Sequence, residues 1–369
     1  MNSLPNPISA PSVTKEFTIE QSLRNNGVSR RSFIKFCAAT ASLMALPPSA
    51  GKLIAAALEQ VRRPSVIWLS FQECTGCTES LTRSHAPSIE SLIFDVISLD
   101  YNHTLQAASG EAAEAAREAA MEENKGKYLL VVDGSIPLKD GGVYSTIAGI
   151  SNLEMLKQTA EHAAAIVCVG SCSAFGGLPY ANPNPTGAVP VSDIIKNKPI
   201  INVPGCPPIP SVIAGVLVQY LTFGMPELDH LKRPKAFYGQ SIHDRCYRRP
   251  FYERGLFAEN FDDEGARKGW CLFKVGCKGP TTYNACATVK WNNGTSFPIE
   301  AGHGCIGCSE PNFWDHGSFY KPLSQTTFND KTNLGIAIAT GAAAGIGATV
   351  LAKSKQKKIR QQLPNGESS

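Results

Sequence analysis

The chain has 369 residues, 18% of them charged, with a formal net charge of +4 and twelve cysteines. The charge is small, and the basic residues concentrate near the two ends rather than along a stripe, so composition argues against a nucleic-acid partner. Disulfide frameworks belong to small secreted domains with little core. In a chain of this length, cysteines at CxxC spacings favour metal or cluster ligation over disulfides.

The first 57 residues have the features of an export signal. Arg30 and Arg31 form an arginine pair, and an apolar stretch with small residues near its end follows over residues 36–57. These are the parts of a signal, and the paired arginines make it a twin-arginine address. A basic N-terminus with a chance arginine pair is the alternative. We predict a twin-arginine signal region at residues 1–57, so that Cys37 is absent from the mature protein.

Residues 63–225 alternate apolar runs with helical stretches. The predicted strands are 64–71, 92–99, 128–133, 165–170 and 199–203, and the predicted helices are 107–123, 153–164 and 211–220. Alternating strands and helices imply a parallel sheet that is covered on both faces. This part of the chain is therefore predicted to be an α/β domain.

Cysteines follow three of these predicted strands. Cys74 and Cys77 form a CxxC pair after the first strand, and Cys172 and Cys206 follow the last two. Because ligands of a doubly wound sheet lie at the carboxyl ends of its strands, four thiolates can meet at one site. A single CxxC pair serves zinc, an iron–sulfur cluster or redox chemistry. The loop 133–137 should lie on the same edge.

Periodicity fades over residues 226–328, where glycine, proline, aromatic and charged residues mix. Two further groups of potential ligands fall here: His243, Cys246, Cys271 and Cys277, and then Cys286, Cys305 and Cys308. Zinc can fill sets of four, whereas three cysteines suit a three-iron cluster better, unless His303 completes a Cys3His zinc site. We expect the metals to hold this irregular segment together. Cys168, inside a predicted strand, is expected to be a core residue.

Near the C-terminus, residues 334–352 form a stretch of nineteen residues without a charge. A helix of this length spans roughly 28 Å, close to the hydrocarbon thickness of a bilayer. The small residues at 341–345 suit helix packing in membranes. The basic segment that follows should stay cytoplasmic. We predict a transmembrane helix at 334–352 and a cytoplasmic tail at 353–369; a buried helix of the globular part is the alternative.

Five motifs together resemble the small subunit of a [NiFe] hydrogenase, and the arginine pair and the C-terminal stretch match the membrane-bound, periplasm-facing branch. They are Glu-Cys-Thr-Gly-Cys-Thr-Glu-Ser at 73–80, Val-Val-Asp-Gly-Ser-Ile-Pro at 131–137, Gly-Ser-Cys-Ser-Ala-Phe-Gly-Gly at 170–177, Pro-Gly-Cys-Pro-Pro at 204–208 and Gly-His-Gly-Cys-Ile-Gly-Cys-Ser-Glu at 302–310. The motifs stand in the family's order, and the resemblance covers residues 64–315. Gly304 replaces the proline usual in the last motif.

The resemblance implies a flavodoxin-like domain at 63–225 and an irregular iron–sulfur domain at 226–328. It also implies three clusters, two [4Fe–4S] and one [3Fe–4S]. Their ligands would be Cys74, Cys77, Cys172 and Cys206 for a proximal [4Fe–4S] cluster, His243, Cys246, Cys271 and Cys277 for a distal [4Fe–4S] cluster, and Cys286, Cys305 and Cys308 for a medial [3Fe–4S] cluster.

The function implied is electron relay between the H2-activating site of a large subunit and a membrane acceptor, a cytochrome b or another integral membrane protein. The protein would lie in the lipid bilayer of the inner membrane, on the periplasmic side. Oxygen-tolerant members carry two extra cysteines, where this chain has Gly76 or Thr78 and Ser145, so the standard, oxygen-sensitive type is expected. A zinc-stabilised binding module and a free-standing electron carrier are the alternative functions.

Overall fold

The computed structural model describes residues 63–323 except 86, 316 and 318, and residues 34–60 except 36, 39, 40, 43, 45 and 48. The predicted arginine pair, transmembrane helix and cytoplasmic tail lie outside these residues. Among the residues that the structure describes, no helix has the length and apolar character needed to cross a membrane.

Five parallel strands form the central sheet. They are β1 (Ser65–Ser70), β2 (Ser98–Asn102), β3 (Leu129–Asp133), β4 (Ala165–Val169) and β5 (Ile200–Val203). Their order across the sheet is β2-β1-β3-β4-β5, and each neighbouring pair is parallel. This is the flavodoxin-like doubly wound order. The predicted α/β architecture with a parallel sheet is confirmed.

Both faces of the sheet are buried. Successive side chains of a strand point to opposite faces, and each face packs in its own apolar cluster. Val66 and Trp68 of β1 belong to one apolar cluster, whereas Ile67 and Leu69 belong to a second. All six residues of β1 are buried. Near-continuous apolar runs of this kind are typical of parallel strands that are covered by helices on both sides.

Six helices surround the sheet or join its strands: α1 (Ala50–Gln60), α2 (Gly76–Thr82), α3 (Glu111–Glu123), α4 (Asn152–Glu161), α5 (Gly170–Phe175) and α6 (Pro210–Phe223). Helices α1, α2 and α6 contribute to the first apolar cluster, and α3 and α4 contribute to the second. The helices predicted at 107–123, 153–164 and 211–220 are thus confirmed, with small shifts of their ends.

The strand predicted at 92–99 is wrong over most of its length. Leu92–Val96 is a π-helical turn that continues the helical turn Ile89–Ser91, and β2 begins only at Ser98. The Ser88 hydroxyl caps this turn by accepting the Ser91 N–H at 3.2 Å. Leu92 and Val96 are buried while Phe94 is exposed. A short apolar run does not distinguish a helical face from a strand.

The described part of the predicted signal region packs against the same core. Cys37, Ala41, Met44 and Ile54 are buried in the first apolar cluster, together with α6. These apolar side chains therefore pack against the folded part of the chain. Their removal with a cleaved signal stays a prediction.

After α6 the chain consists of short elements. They are Lys235–Tyr238, His243–Arg245, Arg249–Glu253, Glu264–Arg267, Phe273–Val275, Gly279–Thr281 and Ala285–Ala287. A small apolar cluster that includes Ile242, Leu272 and Phe297 lies among them. The described residues belong to one compact unit that ends at Leu323. The predicted domain boundary at residue 226 stays a prediction; near it the regular strand and helix pattern gives way to short elements.

The remaining short elements connect the strands of the sheet. The two-residue strands Ile136–Pro137 and Ala188–Val189 pair with each other, as do Thr146–Ile147 and Ile150–Ser151. Short helical turns lie at Lys139–Gly142, Gly177–Tyr180 and Val191–Ile194.

Candidate metal centres

The first ligand set meets at the carboxyl edge of the sheet. Cys74 and Cys77 lie at the start of α2 after β1, Cys172 lies in α5 directly after β4, and Cys206 follows β5. The four thiols interact electrostatically with one another, as expected for groups facing one space. Cys74 and Cys206 are exposed, whereas Cys77 is buried. The site is therefore open on one side.

Glycines make room for these sulfurs. A Cβ atom on Gly170 would collide with the Cys77 sulfur, one on Gly177 would lie 2.6 Å from the Cys172 sulfur, and one on Gly76 would lie 3.1 Å from the Cys74 sulfur. Gly170 and Gly177 also have positive φ angles of 90° and 56°, which glycine adopts without steric cost. The backbone is thus shaped around the thiols, and this supports their assignment as one ligand set.

Burial raises the pKa of three of these thiols. The pKa of Cys172 rises to about 11 and that of Cys206 to about 12, mainly because of burial and also because of neighbouring thiols. Burial and then the Asp133 carboxylate raise the pKa of Cys77. Thiolates in such a place need a compensating positive charge, since a buried anion is costly. A bound metal would provide that charge, and its binding would release the thiol protons.

Asp133 lies at this edge of the sheet, where the sequence predicted the loop 133–137. It ends β3, is completely buried, and accepts a hydrogen bond of 3.2 Å from the Thr78 hydroxyl of α2. Burial raises the pKa of Asp133 to about 6, against hydrogen bonds that lower it. The carboxylate therefore ties the helix that carries Cys77 to the end of the neighbouring strand.

The second ligand set lines one cavity. His243, Cys246, Cys271 and Cys277 face a space of about 330 Å³, counting the part that opens to solvent. Burial, and then the Arg249 guanidinium, lower the pKa of His243, which favours the neutral imidazole needed by a ligand. The Tyr252 ring packs edge-on against the imidazole, with 4.6 Å between ring centres. These four residues fit one metal centre.

The third set contains three cysteines. Cys286 interacts electrostatically with Cys308, and Cys305 with both. His303, the alternative fourth ligand, instead stacks on Phe261 with 6.0 Å between ring centres, and its Nδ1 lies 2.8 Å from the Gly304 carbonyl oxygen. The structure thus places the imidazole in an aromatic cluster, engaged with other groups than the three thiols.

Backbone N–H groups point at several of the cysteine sulfurs. The Arg248 N–H donates to Cys246 at 3.4 Å and the Gly279 N–H to Cys277 at 3.4 Å. Burial raises the pKa of Cys271 and Cys172, and the backbone N–H groups of Phe273 and Leu178 oppose that rise. Hydrogen bonds to cluster sulfurs are among the features that set reduction potentials. Such donors fit cysteines that carry negative charge as ligands.

The three sets form a series. Cys206 of the first set interacts electrostatically with Cys308 of the third, and its backbone N–H lowers the pKa of the Cys308 thiol against the larger effect of burial. The Cys305 N–H of the third set donates to the Cys277 sulfur of the second at 3.3 Å. The third set therefore contacts both of the others and lies between them.

In the described part of the chain, no group of three or more histidine, cysteine, aspartate and glutamate side chains converges as ligands of a single metal ion. A mononuclear zinc site needs sulfurs at ~2.3 Å from one ion. In an iron–sulfur cluster each ligand binds a different iron atom, so the ligands stand farther apart.

Sequence reasoning missed two residues beside these sites, Ser171 and Arg233. Arg233 is buried, forms ion pairs of 2.8 Å with Asp229 and Glu310, and donates to the Ser309 carbonyl oxygen at 3.2 Å. It thereby fixes the chain that follows Cys308. A lone arginine or serine has no local signal for such a role, since its partners lie far away in the sequence.

Two family models match the chain. The C-terminal model of the NiFe/NiFeSe hydrogenase small subunit matches residues 238–321. The model described as NADH ubiquinone oxidoreductase, 20 Kd subunit, matches residues 74–220. Together they cover the parts of the chain that contain all three ligand sets.

Curated relatives are similar over nearly the whole chain. The uptake hydrogenase small subunit of Azotobacter vinelandii is 50% identical over 347 residues, covering 94% of this chain and 97% of that protein. The hydrogenase-1 small chain of Citrobacter freundii is 45% identical, covering 94% and 95%. Among solved structures, an H2-activated [NiFeSe]-hydrogenase of Dm. baculatum matches with a TM-score of 0.66 and 37% identity, covering 71% of this chain and 100% of that chain.

Proposed function

This chain belongs to the small-subunit family of the [NiFe] hydrogenases, and we propose that it relays electrons between an H2-activating large subunit and a membrane acceptor. The two relatives described above are hydrogenase small subunits. The predicted enzyme class, an oxidoreductase whose catalytic site lies on the partner subunit, is confirmed on these grounds.

The serial arrangement of the ligand sets carries the proposal. Cys206 interacts electrostatically with Cys308, and the Cys277 sulfur accepts a hydrogen bond from the Cys305 backbone. A chain of redox centres needs this kind of close spacing, whereas structural metal sites have no reason to lie in a row. The arrangement supports a wire with one end at the sheet edge and the other at His243.

We assign the clusters by set: Cys74, Cys77, Cys172 and Cys206 hold a proximal [4Fe–4S] cluster, His243, Cys246, Cys271 and Cys277 hold a distal [4Fe–4S] cluster, and Cys286, Cys305 and Cys308 hold a medial [3Fe–4S] cluster. When bound, these clusters supply one-electron chemistry. Three thiolates leave one corner of a cubane without a protein ligand, which is why the medial cluster is assigned three irons.

The residues of this chain would bind the clusters, orient them and shield them from solvent. Cys77 and Cys277 are buried, and backbone N–H groups donate to the sulfurs of Cys246 and Cys277. Cys74 and Cys206 are exposed at the sheet edge, so this edge is where we expect the large subunit to cover the proximal cluster. His243, at the opposite end of the series, marks the side on which electrons leave.

The location of the protein is a separate part of the proposal. The arginine pair at 30–31 and the uncharged stretch at 334–352 support export and anchoring. The protein would then lie on the periplasmic side of the inner membrane, its final helix in the lipid bilayer beside a cytochrome b or another integral acceptor.

Purification from solubilised membranes tests the proposal. A tagged chain should bring down a nickel-containing subunit, and the preparation should reduce an artificial dye with H2. A chain purified as a stable, iron-containing monomer from the same membranes would instead indicate a free-standing electron carrier. Stoichiometric zinc without iron would indicate a zinc-stabilised binding module.

A further inference from the structure

Ser171 lies at the junction of the proximal and medial ligand sets. It precedes Cys172 at the start of α5 and only 2% of it is exposed. Its neighbour Ser173, equally buried, bonds only to the turn before it, donating to Val169 and Gly170 carbonyl oxygens at 2.8 and 3.2 Å. The Ser171 side chain instead leaves its own helix.

The hydroxyl of Ser171 joins three loops. It accepts the Gly205 N–H at 3.0 Å, while the Ser171 N–H donates to the Gly205 carbonyl oxygen at 2.9 Å. It also donates to the Cys308 carbonyl oxygen. One buried hydroxyl thus connects the loops after β4 and β5 with the loop that carries Cys308.

A second interaction lies beside this bridge. The Cys206 backbone N–H, one residue beyond Gly205, faces the Cys308 thiol and lowers its pKa, against the larger effect of burial. Its geometry depends on how the Gly205 and Cys308 backbones are held together, and Ser171 holds both. A backbone N–H bonded to a ligand sulfur favours the reduced state, which carries the extra electron, and so raises the reduction potential.

We propose that Ser171 is a positioning residue that holds the Cys308 ligand against the Cys206 N–H and thereby keeps the reduction potential of the medial cluster high. This inference rests on the proposed function, because it takes the medial cluster as given. No bond is made or broken by Ser171, and no proton leaves it.

The loop after Cys308 is also fixed from its other side. Arg233 donates to the Ser309 carbonyl oxygen and pairs with Glu310. Removal of the Ser171 hydroxyl should therefore loosen Cys308 relative to Cys206 without releasing the loop as a whole. This makes a substitution at Ser171 a specific probe rather than a general disruption.

The test is a redox titration followed by electron paramagnetic resonance, made on the complex with the large subunit. Ser171→Ala should retain the three-iron signal, with its midpoint potential shifted downward. Ser171→Thr, which keeps a hydroxyl, should stay near the wild-type potential. Ser173→Ala is the matched control, because it removes a buried hydroxyl from the same helix that does not contact the loops carrying Cys206 and Cys308.

An unshifted medial potential in Ser171→Ala, or an equal shift in Ser173→Ala, overturns the inference. So does a shift in Ser171→Thr as large as that in Ser171→Ala. If Ser171→Ala loses its iron while Ser171→Thr keeps both iron and potential, the requirement for the hydroxyl is supported. A wild-type complex without a three-iron signal would instead refute the cluster assignment in the proposed function.

Discussion

At the scale of single residues, the presence of neighbouring thiols separates the cysteines that we propose as metal ligands from a cysteine that only packs in the core. Cys168 and Cys172 are four positions apart, yet Cys168 lies inside β4 in the apolar core while Cys172 reaches the sheet edge beside other thiols. Burial raises the pKa of Cys168 to about 12. It therefore stays a neutral thiol, and the structure places it as the core residue that the sequence predicted.

Replacement of these two cysteines tests that distinction. Cys172→Ala should lose the iron of one cluster and the activity of the complex, because a proximal ligand is removed. Cys168→Ala should keep the full iron content and cost about 1 kcal/mol of stability, as expected for a small deletion in a core. Iron analysis and thermal unfolding measure the two effects. Equal iron loss in both variants would argue against the assignment.

Arg233 offers a second test at this scale. Arg233→Met would leave the largely buried carboxylates of Asp229 and Glu310 without their cationic partner. Breaking a buried ion pair from one side costs about 3–5 kcal/mol, so the midpoint of thermal unfolding should fall clearly.

Arg249→Met is the control for Arg233→Met. The ion pairs of Arg249 with Asp244 and Glu253 are exposed, and exposed pairs contribute ~1 kcal/mol or less. A similar fall in both variants would show that the buried network has no special weight.

At the scale of elements, the ligand sites depend on strand-to-helix junctions. Gly170 joins β4 to α5 with a φ of 90°, and the Cys77 sulfur occupies the space where a side chain would lie. The junction thus serves both the backbone turn and the neighbouring ligand.

Gly170→Ala should prevent assembly of the proximal cluster, because the added methyl group would displace the Cys77 sulfur. Gly126→Ala provides the control, since Gly126 also has a positive φ, of 75°, but open space around its Cβ position. The control should lose only about 1–2 kcal/mol through backbone strain. Iron content and cluster absorbance distinguish the two; full iron in Gly170→Ala would contradict the close approach.

The elements that the sequence predicted correctly are those whose hydrophobic pattern fits one kind of secondary structure. Four strands were predicted because their apolar runs are short, continuous and followed by turn residues, and the cysteines after three of them marked the sheet edge. The strand prediction for residues 92–99 was wrong because Leu92 and Val96 also fit one face of a helix. The contacts of Ser171 with Gly205 and Cys308, and that of Arg233 with Glu310, join residues more than thirty positions apart, and no local pattern encodes them.

At the scale of the whole molecule, the proposed electron relay has to be reconciled with the proposed export. Residues of the predicted signal region are buried against the folded body, and the predicted twin-arginine address would be read by a receptor. Clusters would be inserted in the cytoplasm before the protein crosses the membrane.

Arg30→Lys combined with Arg31→Lys should leave the protein in the cytoplasm, because the receptor reads the guanidinium pair. Cell fractionation with an activity assay measures the distribution of the protein. The iron content of the retained protein should be normal, which separates an export defect from a folding defect. Normal periplasmic activity in the double variant would count against the twin-arginine assignment.

The most direct measurement of the central claim is a combined count of iron, sulfide and zinc with electron paramagnetic resonance of the purified complex, oxidised and then reduced with H2. The account predicts a three-iron signal in the oxidised protein that disappears under H2, and iron sufficient for two four-iron clusters and one three-iron cluster. Stoichiometric zinc, with no iron–sulfur signal in either state, would contradict it.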